Sequence, residues 1–146
     1  TATEMSAMGP EGPLPKEAPL EPGPVFRGTS AGGAYSTADD MRRFLTALTS
    51  GKLVSRETYE RMISPQILAY PGQDGRPDIH YGLGFGTSTF DGHKWVGHNG
   101  GAPGINAEVN FFIDDQTMMV VLSNRDPPAA SALYRELRGV VFGKSC

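Results

Sequence analysis

Cysteine is nearly absent from this chain: of 146 residues only Cys146, the last, carries a thiol, which excludes an internal disulfide and a cysteine-based zinc site. Clusters of lysine and arginine are missing too, and the net charge is −3. The electrostatic footprint that nucleic acid or an anionic membrane requires is therefore not there, and no nucleic-acid partner is expected. Apolar runs are short. The longest, such as Met118 to Leu122, are strand-sized, so no membrane segment is expected, and the N-terminus has no basic stretch leading into an apolar one. The chain reads as soluble and as starting somewhere other than at a natural signal sequence.

Large apolar side chains are also scarce in the opening thirty residues, where six of the twelve prolines fall between Pro10 and Pro24. Residues 1–31 therefore read as a proline-rich, partly disordered lead, and the compact part begins near Gly32. The length suits one ordinary domain.

What remains is patterned. Ser36-Thr37-Ala38-Asp39-Asp40 offers a hydroxyl followed three positions later by a carboxylate, a helix start. Met41, Phe44, Leu45 and Leu48 then mark one apolar helix face that Gly51 ends. A second helix starts at Ser55, buries Tyr59, Met62 and Ile63, and stops at Pro65. Together these form a helical pair over 36–64. Gln66 to His80 holds Pro71, Gly72, Gly75 and Pro77 and reads as a loop.

From Tyr81 the apolar period becomes alternating. Four strands are expected over 81–124: Tyr81 to Phe85, Lys94 to Gly97 after the turn Asp91-Gly92, Ile105 to Ile113, and Thr117 to Ser123. Their short links imply antiparallel neighbours. A last helix over 127–143, capped by Asp126, carries Leu133, Leu137, Val140 and Val141 on one side and should pack across the sheet. The fold class is α+β. No internal repeat is present.

Several local patterns invite chemistry and lack its context. Gly28-Thr29-Ser30-Ala31-Gly32 matches a nucleophile elbow, but no buried strand precedes Ser30 and no helix follows it directly. The glycines after His98 lead into a strand, whereas phosphate loops lead into a helix N-terminus. Gly82, Gly84 and Gly86 share a face, which points to close approach by another backbone or a bulky side chain. His93 and His98 lie five apart on an extended segment and point to opposite faces, so no metal site is expected. Asp114 and Asp115 read as solvated turn acids. A histidine such as His98, taken alone, is more often structural than catalytic.

The order of elements changes that reading. Gly32-Gly33-Ala34-Tyr35-Ser36-Thr37-Ala38-Asp39-Asp40-Met41, Phe44, Leu53-Val54-Ser55, Met62, Pro65, Tyr81-Gly82-Leu83-Gly84-Phe85, Gly97-His98-Asn99-Gly100-Gly101, Pro103-Gly104 and Val120-Val121-Leu122-Ser123-Asn124 occur in this sequence. In that order they resemble the C-terminal part of the serine β-lactamase-like family. This family takes in class C β-lactamases, D-alanyl-D-alanine carboxypeptidases, penicillin-binding-protein-like esterases and D-aminopeptidases. The resemblance runs from Gly32 to the end of the chain and implies residues 32–146 as the C-terminal segment of such a domain.

The resemblance implies roles residue by residue. His98-Asn99-Gly100 looks like the strand-borne Lys-Thr-Gly motif in its His-x-Gly form. That makes His98 a catalytic residue of the proton network or a donor to a substrate carboxylate, with Asn99 and Gly100 as substrate-binding positions. The backbone N–H of Gly101 would be an oxyanion-hole donor. The histidine tilts the expected substrate toward an ester, amide or peptide rather than a β-lactam. No cofactor is implied, and periplasmic or secreted localisation is.

Two family motifs are missing. Ser-x-x-Lys does not occur, and Thr49-Ser50-Gly51-Lys52 has only its spacing; neither Tyr-x-Asn nor Ser-x-Asn occurs. The chain thus looks like an incomplete half of the fold, a C-terminal fragment without its nucleophile, expected to be inactive alone. Its acyl-enzyme chemistry on a small-molecule or peptide-like substrate would belong to the longer protein. An unpaired sheet edge would favour a homodimer or strand-swapped oligomer. A non-catalytic binding or structural module on the same scaffold is the rival reading, and an α/β hydrolase using Ser30 a third.

Overall fold

The computed structural model describes residues 32–73 and 75–143. The proline-rich lead with Ser30, and Cys146, lie outside the described residues. Helices α1 (Ala38–Thr49) and α2 (Arg56–Ile63) come first. Strands β1 (Ile67–Tyr70), β2 (Ile79–Tyr81), β3 (Gly86–Phe90), β4 (His93–Ala102), β5 (Ile105–Phe112) and β6 (Thr117–Ser123) follow, then helix α3 (Ala129–Phe142). The six strands form one antiparallel sheet in chain order, β1-β2-β3-β4-β5-β6.

Both early helices start where local chemistry dictates. The Thr37 side chain accepts from the Asp40 N–H at 3.1 Å, and the Ser55 side chain accepts from the Thr58 N–H at 3.2 Å. Each bond satisfies one of the N–H groups that a helix start leaves without an intrahelical acceptor. Asp39 also lies near the positive end of α1, where the Arg42 hydrogen bond holds its carboxyl below the usual range.

Two strands are found where a loop and a single strand are expected from sequence. β1 pairs with β2 through Ile67↔Tyr81 and Leu68↔His80, and the proline- and glycine-bearing segment merely links them. The expected strand Tyr81 to Phe85 is broken. Tyr81 closes β2, and the Gly82 N–H donates to the Phe85 carbonyl at 2.7 Å, with Gly84 at a positive φ of 86°. A turn therefore stands where the alternating apolar pattern suggested extended chain. A side chain at Gly82 would collide with the Met62 carbonyl, the close backbone approach its glycine implies.

The described residues fall into two compact units. In the unit of residues 36–98 and 109–120, Leu45 of α1 packs with Val96 and Phe111, flanked by Ile63, Val109, Ile113 and Met118. A second cluster joins Leu48, Tyr59 and Phe85 with Val54, Met62 and Ile63. The Leu83 N–H donates to the Met62 carbonyl at 2.8 Å, sewing the end of α2 to the turn. Asp115 is not a merely solvated turn acid: its carboxylate contacts His93 Nδ1 at 2.9 Å.

The unit of residues 32–35, 99–108 and 121–143 overturns the expected orientation of α3. Leu133, Leu137, Val140 and Val141 are exposed, Val140 at 78%, whereas Ala130 and Tyr134 are buried. Burial pushes the Tyr134 phenol up to about 12. The Arg138 guanidinium lies over its ring, 5.4 Å from the centroid. Nor does Asp126 cap the helix with its side chain; its Oδ1 accepts from the Gly104 N–H at 2.6 Å. The cap comes from across the sheet, where Asn106 Oδ1 accepts from the N–H groups of Ala130 at 2.7 Å and Ser131 at 3.2 Å.

Leu45, 2% exposed, and Val140 thus make opposite predictions. Leu45→Ala should lower unfolding free energy by about 2–5 kcal/mol. In the monomer, Val140→Ser should change it by less than about 0.5 kcal/mol. Chemical denaturation of both variants checks the assignment; equal losses would place α3's apolar face in the core.

Candidate functional site

β4 pairs with β3 from Phe90↔His93 to Gly86↔Gly97 and then continues to Ala102. Its pairing with β3 thus ends at Gly97, five residues before the strand does. Gly97 is the hinge of this arrangement: a side chain there would run into Asn110 and the Val109 carbonyl. Only glycine lets the neighbouring strand approach so closely.

His98 is exposed, and its ring meets Tyr81 edge-on, with centroids 5.8 Å apart and planes at 77°. Such an edge-on contact is a favourable aromatic arrangement. Asn99 and Gly100 are exposed as well. The Asn99 side-chain amide donates to Glu108 Oε1 at 3.4 Å, and a Cβ added at Gly100 would meet nothing within 4 Å. At Gly101 a Cβ would strike the Pro127 ring and lie 3.2 Å from Asn106 Nδ2. The two adjacent glycines therefore differ: one borders open space, the other is wedged.

Beneath this stretch lies a polar layer that sequence reasoning missed. Asn106 and Glu108, each 6% exposed, are buried side chains of β5. Asn106 Nδ2 donates to the Gly100 carbonyl at 2.8 Å, and Ser131 Oγ donates to Glu108 Oε1 at 2.6 Å. A signal was available: Asn106, Glu108 and Asn110 alternate with Ile105, Ala107, Val109 and Phe111 along one strand. Alternation alone assigns the polar set to solvent, whereas Asn106, Glu108 and Asn110 are buried and Ile105 is exposed. Among the described residues no group of three or more His, Cys, Asp or Glu side chains could hold a metal ion.

The beta-lactamase family model matches residues 1–142. This chain belongs to the beta-lactamase family. A curated relative, the putative penicillin-binding protein PbpX of Bacillus subtilis (strain 168), is 33% identical over 96 residues. That match covers 64% of this chain and 20% of the relative, so the chain spans about a fifth of its length. A penicillin-binding protein from Bacillus halodurans shares the fold at a TM-score of 0.67 and 24% identity, over 77% of this chain and 33% of that one. The octameric penicillin-binding protein homologue from Pyrococcus abyssi superposes at 0.66 and 23% identity, over 75% and 25%. A D-stereospecific amidohydrolase from Streptomyces sp. does so at 0.59 and 22%, over 75% and 31%. The chain thus carries an antiparallel sheet with helices in the fold of these structures.

The contrast between Gly100 and Gly101 can be measured. Gly101→Ala should displace the Pro127 ring and lower the melting temperature, at a cost of about 1–3 kcal/mol. Gly100→Ala should leave it within about 0.5 kcal/mol of the parent. Thermal denaturation followed by circular dichroism distinguishes the two.

Proposed function

We propose that the exposed stretch His98 to Gly101 is one wall of the acyl-transfer site of a serine hydrolase, whose nucleophile is supplied from outside these 146 residues. The observation that carries this reading is the exposed stretch of β4 beyond its pairing with β3. It offers an accessible histidine, an unobstructed glycine, and a glycine whose surroundings leave no room for a side chain. A substrate chain can lie along such a stretch, His98 can donate to its carboxylate or join the proton network, and the Gly101 N–H can stabilise a developing oxyanion. The attacking serine forms an acyl-enzyme that water hydrolyses. An amide or ester substrate, including D-amino-acid peptides, agrees with the penicillin-binding proteins and the D-stereospecific amidohydrolase among its relatives.

Without Ser-x-x-Lys the isolated chain is expected to give negligible hydrolysis of a chromogenic ester or cephalosporin. Robust turnover lost in Ser30→Ala would overturn the reading.

The same proposal extends to assembly. Leu133, Leu137, Val140 and Val141 expose apolar surface on α3, and one structural relative is described as octameric. A dimer or strand-swapped oligomer covers such surface. Multi-angle light scattering at micromolar concentration should therefore give at least twice the 15.6 kDa chain mass. A monodisperse monomer would sink that part of the proposal.

A further inference from the structure

The carbonyl of Gly100 and the N–H of Gly101 belong to one peptide unit, and that bond is trans. A planar trans peptide holds the two groups antiparallel, so whatever fixes the carbonyl also aims the N–H. The carbonyl is fixed by Asn106 Nδ2 at 2.8 Å. Asn106 lies on β5, which neighbours β4 on the side opposite β3. The Gly101 N–H consequently points away from the Asn106 carboxamide that holds the carbonyl.

The anchor is itself held. Asn106 Oδ1 accepts from the Ala130 and Ser131 N–H groups at the start of α3, at 2.7 and 3.2 Å. With its oxygen committed to two N–H donors, the carboxamide cannot flip without losing both bonds, and its NH2 end is left pointing at Gly100. The side chain is 6% exposed, so water does not compete freely for that donor. The Pro127 ring beside Gly101 closes off lateral movement of the same peptide.

We propose that Asn106 is a positioning residue for acyl transfer, which orients the Gly100–Gly101 peptide so that the Gly101 N–H points away from the buried carboxamide on this exposed stretch of β4. This rests on the reading of Gly101 as an oxyanion donor given above. Asn106 touches no substrate. It converts the fixed N-terminus of α3 into a fixed direction for one backbone donor, the preorganisation that oxyanion stabilisation requires. Sequence would not single it out, because its three hydrogen bonds reach residues 6, 24 and 25 positions away.

Two substitutions separate its arms. Asn106→Asp keeps an acceptor for the Ala130 and Ser131 N–H groups but, ionised, cannot donate to Gly100. Asn106→Ala removes both arms. In the 146-residue chain, one-bond N–H dipolar couplings and amide exchange read Gly101 and the start of α3 independently. The Gly101 coupling should change in both variants, whereas Ala130 and Ser131 exchange should stay within about 3-fold of the parent in Asn106→Asp alone. A Gly101 coupling that changes only in Asn106→Ala would reduce Asn106 to a helix cap and overturn the proposal. Should both variants fail to fold, the parent chain still decides. One Asn106 side-chain amide proton should exchange at least about 10-fold more slowly than that of an exposed asparagine, and free exchange overturns the proposal.

In a hydrolase carrying this segment together with its serine, p-nitrophenyl acetate and its thiono analogue supply the catalytic readout. Asn106→Asp should lower kcat about 10- to 100-fold with KM within about 3-fold, and shrink the preference for oxygen over the larger, weaker acceptor sulfur. Loss of structure alone would not change that preference. A parent enzyme without any oxygen preference overturns the Gly101 donor reading. A parent preference that Asn106→Asp retains in full overturns only the role of Asn106.

Discussion

The carboxamide of Asn106 is the point at which strand, glycine edge and terminal helix are joined. It donates to Gly100 on β4 and accepts from Ala130 and Ser131 on α3, so its bonds hold three chain segments together. A buried polar group left without partners costs about 1–3 kcal/mol, which makes the helix start and the strand register mutually dependent. Glu108, two residues along the same face, repeats the pattern by accepting from Ser131 Oγ and from the Asn99 amide. The buried side of β5 in this unit is polar, and it takes a matching helix face. α3 therefore turns Ala130 and Tyr134 inward and leaves its leucines and valines outside. The hydrogen bonds of Asn106 and Glu108 hold the start of the helix in this orientation, with the apolar stripe outside.

That inversion explains what was legible in the sequence and what was not. α1, α2 and β6 could be placed because their signals are local: Thr37 and Ser55 bond to their own helix starts, and Thr117 to Ser123 forms the expected strand with its expected bounds. The face of α3 could not, because an apolar stripe shows which side avoids water without saying what is available to cover it. Its cap was equally hidden, since the acceptor lies 24 residues upstream while the nearby Asp126 is engaged by Gly104. β1 and β2 are short, and the prolines and glycines between them masked the pairing of Ile67 with Tyr81. At the candidate site, the alternating pattern ended the strand at Gly97 and only the resemblance made His98-Asn99-Gly100 strand-borne, whereas β4 runs on to Ala102. The supporting Asn106, Glu108 and Ser131 had no motif to announce them.

An edge built from glycines has a physical difficulty that the surrounding residues resolve. Glycine loses more backbone freedom on ordering than any other residue, and Gly97, Gly100 and Gly101 lie within five consecutive positions of one strand. Left to itself such a segment would sample many conformations and hold no donor in a fixed direction. Each glycine has a different neighbour against it. Asn110 and the Val109 carbonyl crowd Gly97, the Pro127 ring crowds Gly101, and the Gly100 carbonyl is tied to Asn106. Gly104 completes the set through Asp126. The constraints all act from the covered side of the strand or along its backbone, and none occupies the space above Gly100. An accessible surface with a rigid backbone is thereby obtained from the residue type least able to provide rigidity alone, because the order resides in the buried asparagine and the proline behind it.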